Sequence, residues 1–102
     1  MLFRDDHVSP IITYINNLYI GRKLSAQEAE DLCITISELV DKSITESTVS
    51  SCISKLRGFK NYSEDPQVIS QVIKATFETL GSVIQNEKEK YNENTNNSKW
   101  ET

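Results

Sequence analysis

The sequence is short of the residues on which most catalytic and cofactor sites depend. It has three glycines, two prolines, two cysteines and one histidine. The glycines stand alone at positions 21, 58 and 81, so the chain has no glycine-rich phosphate-binding loop. His7 follows Asp5 and Asp6 in an N-terminal stretch that we expect to be mobile and solvated. We therefore predict that the chain is not an enzyme, and we expect no cofactor and no metal site.

Long hydrophobic runs are also missing. Every apolar run is far shorter than the ~20 residues that a membrane-spanning helix requires. The first seven residues carry Arg4, Asp5 and Asp6 and lack the apolar segment of a secretory signal. We therefore expect a cytoplasmic protein without a membrane span. In that compartment Cys33 and Cys52 are expected to be small buried hydrophobic residues rather than partners in a disulfide.

A chain of 102 residues with 37% apolar residues can bury one core only. From position 92 onward Trp100 is the only apolar residue. Residues 1–91 are therefore predicted to form a single helical domain, with a core drawn from residues 8–91. Residues 92–102 are predicted to be a polar, mobile tail. A core of this size leaves little net stability, to which a bound partner would add.

Apolar residues recur at helical spacing in four segments, and each segment begins at a capping residue. The best defined is the second, over residues 25–41, which opens with the capping box Ser25-Ala26-Gln27-Glu28. The first segment is predicted to begin at Ser9-Pro10 and to end at Gly21. The third is predicted to begin after Thr45 or Ser47 and to break at Gly58. The fourth is predicted to begin at Asp65-Pro66.

The fourth segment carries the longest stripe, consisting of Val68, Ile69, Val72, Ile73, Phe77, Leu80, Val83 and Ile84. Gly81 within it predicts a bend or a close helix contact. No segment alternates with a period of two for long enough to predict a strand. The expected fold class is therefore all-α, a small antiparallel four-helix bundle-like domain with a flexible C-terminal tail.

The charge is unevenly distributed around a net value of −4. Between positions 25 and 47 a single base, Lys42, faces six acids: Glu28, Glu30, Asp31, Glu38, Asp41 and Glu46. Between positions 55 and 60 there are three bases and no acid. A locally negative surface disfavours nucleic acid and favours a basic protein partner.

Residues 11–34, with a Gly-Arg-Lys-Leu link into Ser-Ala-Gln-Glu-Ala-Glu, resemble the opening helices of small bacterial immunity proteins of the colicin and contact-dependent inhibition type. The resemblance implies an inhibitor that neutralises a tRNA-cleaving toxin. Its contact surface would then be the outward side of the second helix. The candidate partner-binding residues are Glu28, Asp31, Glu38 and Asp41, with Glu30 and Glu46 nearby and Tyr14 and Tyr62 as aromatic anchors.

Two alternatives remain. Residues 36–56 resemble the helix, turn and recognition helix of a small phage or plasmid transcriptional regulator. In that hypothesis Thr48, Ser50, Ser51 and Lys55 contact bases or phosphates, while Arg57 and Lys60 contact the DNA backbone. The other alternative is an adaptor that buries part of the fourth helix against a helix of another protein.

Overall fold

The computed structural model of the chain describes the backbone of residues 1–101 and the side chains of residues 1–89. It contains four helices: α1 Asp5–Ile20, α2 Ala26–Ser37, α3 Glu46–Lys60 and α4 Pro66–Glu101. Over the described residues, extended pairing is limited to one isolated antiparallel bridge between Leu2 and Ser43. The predicted all-α fold class is confirmed. The predicted mobile tail, residues 92–102, lies outside the residues whose side chains are described.

The four helices form a ring in chain order. α1 contacts α2 and α4, and α3 contacts the same two helices; the α3–α4 interface is the most extensive and the α2–α3 interface the smallest. The connections between helices are short, each of eight residues or fewer. The centre of the ring is filled by apolar side chains from every helix, among them Ile15, Leu32, Ile36, Leu56, Ile69 and Leu80.

The N-terminus departs from the prediction. We call residues 1–4 the N-terminal strap; its Phe3 is completely buried in the core, so the core does not begin at residue 8. Phe3 N–H donates to Lys42 O (2.9 Å), and Asp41 N–H donates to Phe3 O (3.0 Å). The predictions of a mobile N-terminal stretch and of a helix starting at Ser9-Pro10 are therefore wrong.

Helix α1 instead begins at Asp5 and contains Pro10. The missing N–H of Pro10 deprives only one carbonyl of its helical donor, and that carbonyl belongs to Asp6 in the exposed first turn. His7 lies in the same turn, where its Nδ1 accepts from Arg4 N–H at 3.0 Å. The strap and the first turn of α1 are thus fixed by contacts that the local sequence pattern does not predict.

Helix α2 confirms the predicted start but not the predicted end. It ends at Ser37 rather than at position 41, and Leu39 beyond it is buried in the core. Asp41 takes a left-handed backbone conformation with φ of 70°. The hydrogen bonds of residues 41 and 42 to the N-terminal strap hold the chain in this turn, so the helix cannot continue.

Helix α3 begins at the predicted cap, because Thr45 Oγ1 accepts from Thr48 N–H at 3.1 Å. The predicted break at Gly58 is wrong, since the helix runs through it to Lys60. Phe59 packs against the core and extends the apolar stripe by a further turn. The gain from that contact outweighs the cost of about 1 kcal/mol for one glycine in a helix.

Helix α4 begins as predicted at Pro66, with Asp65 Oδ1 accepting from Gln67 N–H at 3.1 Å. Phe77 was predicted to lie in the apolar stripe, but its side chain is 62% exposed. Thr76 is buried instead, and its hydroxyl donates to Val72 O at 2.7 Å. An ideal Cβ built at Gly81 would meet no atom within 4 Å, so this glycine does not mark the predicted close helix contact.

Candidate partner-binding face

The capping box at the start of α2 uses one of the predicted partner-binding acids. Ser25 Oγ accepts from Glu28 N–H, and Ser25 N–H donates to Glu28 Oε1, both at 3.1 Å. Glu28 Oε2 also accepts from the Ser63 hydroxyl at 2.6 Å. The hydrogen bond from Ser63, together with those from Ser25, lowers the pKa of Glu28. Glu28 therefore fastens the start of α2 to the connection before α4.

Three of the other predicted acids lie together on the outward side of α2. Glu30 and Asp31 precede Ile34 by four and three residues, and Glu38 follows it by four. Side chains at these spacings are neighbours on a helix surface. Ile34 is 51% exposed. We call the surface formed by Glu30, Asp31, Ile34 and Glu38 the α2 acidic face. It consists of an exposed isoleucine surrounded by carboxylates.

The α2 acidic face adjoins a shallow groove between α1 and α2. The groove is mostly apolar, and Glu30, Ile34 and Glu38 line its α2 side. Its α1 side is lined by Ile12, Asn16 and Tyr19, of which Tyr19 is 47% exposed. A partner side chain laid along the groove would therefore contact apolar groups and carboxylates together.

Among the residues whose side chains are described, one carboxylate of the face forms an ion pair. Lys55 Nζ of α3 lies 3.1 Å from Glu38 Oε2, and both side chains are more than half exposed. Ion pairs of this kind contribute about 1 kcal/mol or less and are screened by salt. Gln27 Nε2 donates to Asp31 Oδ1 at 2.9 Å, which orients that carboxylate without neutralising it.

The structure places the remaining predicted residues elsewhere. Asp41 lies four residues beyond the end of α2, in the left-handed turn that holds the N-terminal strap. Glu46 begins α3, and its Oε1 accepts from Lys88 Nζ of α4 at 2.7 Å, which lowers its pKa. Tyr14 is partly buried against the core, and Tyr62, 90% exposed, lies in the connection between α3 and α4.

Sequence reasoning missed Ile34 and Tyr19 as exposed residues. Tyr19 fits the apolar stripe that Ile11, Ile15 and Leu18 form along the first helix, so periodicity alone predicts that it faces the core. Ile12 fits the same stripe and is partly buried against the core. Ile34 carried a usable signal, because it falls off the stripe that Leu32 and Ile36 continue. An isoleucine outside the apolar stripe, with acids at helical spacing on both sides, indicates an exposed apolar contact point.

The residues of the predicted recognition helix are partly engaged within the chain. Thr48 N–H donates to the capping hydroxyl of Thr45, and the Thr48 hydroxyl donates to Ser43 O at 2.6 Å. Lys55 is bound to Glu38. Ser50, Ser51, Arg57 and Lys60 are exposed. The helix-turn-helix hypothesis remains a prediction.

Both cysteines are free thiols. Cys33 is half-buried in the groove between α1 and α2, with Sγ 3.9 Å from Asn16 Oδ1, and burial raises the pKa of its thiol. Cys52 is buried on α3, and burial raises the pKa of its thiol to about 11. Over the described part of the chain, no group of three His, Cys, Asp or Glu side chains is placed to hold a metal ion.

Among the residues that the structure describes, no helix combines the length and the hydrophobicity needed to cross a membrane. No protein-family model, no curated protein and no solved structure matches this chain.

Proposed function

We propose that this chain is a protein-binding module of immunity or antitoxin type, which neutralises or escorts a basic partner. The partner is a nuclease toxin domain, and the α2 acidic face is the contact surface. The observation that carries the proposal is the exposed Ile34 with Glu30, Asp31 and Glu38 around it.

The apolar part of the face supplies affinity. Contact energy in protein interfaces is concentrated in a few desolvated anchors surrounded by polar residues. Ile34 and Tyr19 are each about half exposed and border the same groove. An aliphatic or aromatic side chain of a partner would bury both, while the carboxylates around Ile34 remain at the edge of the contact.

The carboxylates of the face determine which kind of partner binds. A nuclease must carry a basic surface in order to hold the phosphates of its substrate, and carboxylates presented by an inhibitor occupy that surface by the same attraction. Glu30 and Asp31 accept no ion pair from the described residues. Lys55, which lies beside the face, is held by an exposed ion pair that a partner's base can displace.

The resemblance to immunity proteins concerns residues 11–34, which in the fold cover most of α1 and α2. Those residues include the floor of the groove and three of the four residues of the α2 acidic face. The part of the chain that resembles an inhibitor family is therefore the part that carries the exposed apolar and acidic surface.

The test is a calorimetric titration of the chain with the basic protein encoded immediately upstream of it. We expect tight binding that weakens as salt rises, because screening reduces the steering of exposed charges. The double variant Glu30→Lys/Glu38→Lys should bind at least about tenfold more weakly, since each reversal places like charges in contact. Ile34→Ala should weaken binding by a similar factor while folding normally.

The matched control is Glu64→Lys/Glu89→Lys, which makes the same change in net charge at exposed positions outside the face. This control should bind as tightly as the native chain, apart from a small change in association rate. The proposal is refuted if the neighbouring protein does not bind, or if the two double variants lose affinity equally.

A further inference from the structure

A second surface, on the far side of the ring from the α2 acidic face, contains a protruding aromatic residue and a gap beside it. Phe77 projects from α4 and is 62% exposed. It borders a depression between α3 and α4 whose lining includes Val49, Ser50, Gly81 and Ile84. Val49 and Ile84 are nearly buried, so the floor of the depression is apolar. Nothing in the function proposed above uses this surface.

Gly81 lines the depression without contributing a side chain. A Cβ at this position would meet no atom within 4 Å, so the glycine is not there to relieve crowding inside the chain. It stands one helical turn from Phe77, about 6 Å along α4. The same helix face therefore carries a large apolar knob and, one turn away, a hole without a side chain.

This pairing is self-complementary. If two α4 helices lie antiparallel across a two-fold axis midway between positions 77 and 81, Phe77 of each copy faces Gly81 of the other. Such an arrangement is an isologous contact, in which one patch serves both partners. Positions 70, 74, 77, 81, 84 and 88 follow the alternating spacing of four and three residues that keeps one helix face toward a neighbouring helix.

The charges on this surface also match across that axis. Lys74 is exposed, and in this register it stands opposite Ile84 of the other copy. Glu46 lies beside Ile84 in the same depression. One carboxylate oxygen of Glu46 is held by Lys88 at 2.7 Å, which leaves its second oxygen to meet Lys74 of the other copy. The contact thus contains two knob-and-hole pairs and two charge pairs.

This surface differs from the α2 acidic face in carrying charges of both signs. Two α2 acidic faces laid together would oppose carboxylates with carboxylates, which is unfavourable. Around Phe77 the two signs are interleaved, with Lys74 and Lys88 among Glu46 and Glu78. A surface of this kind accepts a second copy of itself without net repulsion.

We propose that two copies of this chain associate through α4, with Phe77 of each copy seated beside Gly81 of the other and Lys74 paired with Glu46 across the two-fold axis. The contact is a weak dimer, because the apolar part consists of two phenyl rings and their two sockets.

Sedimentation equilibrium over a concentration series measures this association. The native chain should show a reversible monomer–dimer equilibrium. Phe77→Ala should raise the dissociation constant at least about tenfold, because both copies lose their anchor. The matched control Tyr62→Ala, which removes an even more exposed aromatic ring outside this surface, should leave the equilibrium unchanged.

A side chain added at Gly81 should weaken the dimer as strongly as the removal of the Phe77 ring. Gly81→Leu should abolish the dimer, whereas Gly58→Leu should not. Both glycines lie within helices and have open space around the missing Cβ, so the two substitutions differ mainly in the surface they occupy. Circular dichroism of each variant checks that the monomer is folded.

The register is tested by exchanging charges. Lys74→Glu and Glu46→Lys should each weaken the dimer, and the double variant should recover affinity because the pair is re-formed with its signs reversed. A native chain that is monomeric up to about 1 mM overturns the proposal. It is equally overturned by a dimer that is indifferent to Phe77→Ala and Gly81→Leu, or by a double variant no tighter than the two single ones.

Discussion

Replacing Phe3 by alanine should destabilise the fold far more than the position of this residue near the N-terminus suggests. Phe3 is completely buried, and removing a phenylalanine from a core costs about 3–5 kcal/mol. The N-terminal strap can relax toward the space left behind, so we expect a value near the lower end, about 3 kcal/mol. A chain of this length has a total stability of about 5–15 kcal/mol, and the melting temperature should fall by about 12 °C or more.

The assay is urea denaturation followed by circular dichroism, with Leu2→Ala as the control in the same strap. Leu2 is 47% exposed, and its truncation should cost about 0.5 kcal/mol or less. A loss below about 1 kcal/mol for Phe3→Ala would show that Phe3 does not close the core. Equal losses for the two variants would show that the strap acts only through its backbone hydrogen bonds to residues 41 and 42.

Two further predictions concern titratable groups. Because Ser63 and Ser25 lower the pKa of Glu28 below its ordinary value of 4.5, its carboxylate stabilises the fold above that pH and loses the effect as pH falls through the lower folded-state pKa. Unfolding measured against pH should therefore show Glu28→Gln less stable than the native chain at neutral pH and equal to it in acid; a pH-independent difference would refute this assignment. Burial raises the pKa of both thiols, that of Cys52 to about 11, so a thiol reagent at pH 8 should modify Cys33 slowly and Cys52 only on unfolding. Rapid modification of Cys52 in the folded chain would contradict its placement in the core.

The parts of the fold that could be predicted are those governed by neighbours in sequence. The capping box of Ser25 and Glu28, the Thr45 cap and the Asp65-Pro66 start all appear as predicted, because each is completed within one helical turn. The four-helix architecture follows from apolar spacing over longer stretches. The errors fall where a contact from far along the chain decides the outcome, as at Phe3 and at the end of α2.

The candidate site shows the same division. Glu30, Asp31 and Glu38 share the outward side of α2 because their spacing matches the helical period, and that could be predicted. Asp41 and Glu28 were grouped with them but are placed elsewhere. The contact of the N-terminal strap with residues 41 and 42 takes Asp41 out of the helix, and Ser63, thirty-five positions away, takes up the carboxylate of Glu28.

The sequence by itself determined the number of helices, most of their starting points and the acidic character of α2, since these depend on residue type and local spacing. Only the tertiary structure decided which apolar residues are core and which are surface. Phe3 is buried because the strap folds back onto the turn after α2, and Phe77 is exposed because Thr76 takes the inward position on α4. Periodicity places residues on a helix face within a fraction of a turn, and the neighbouring helices then decide which residues at the edge of that face are covered.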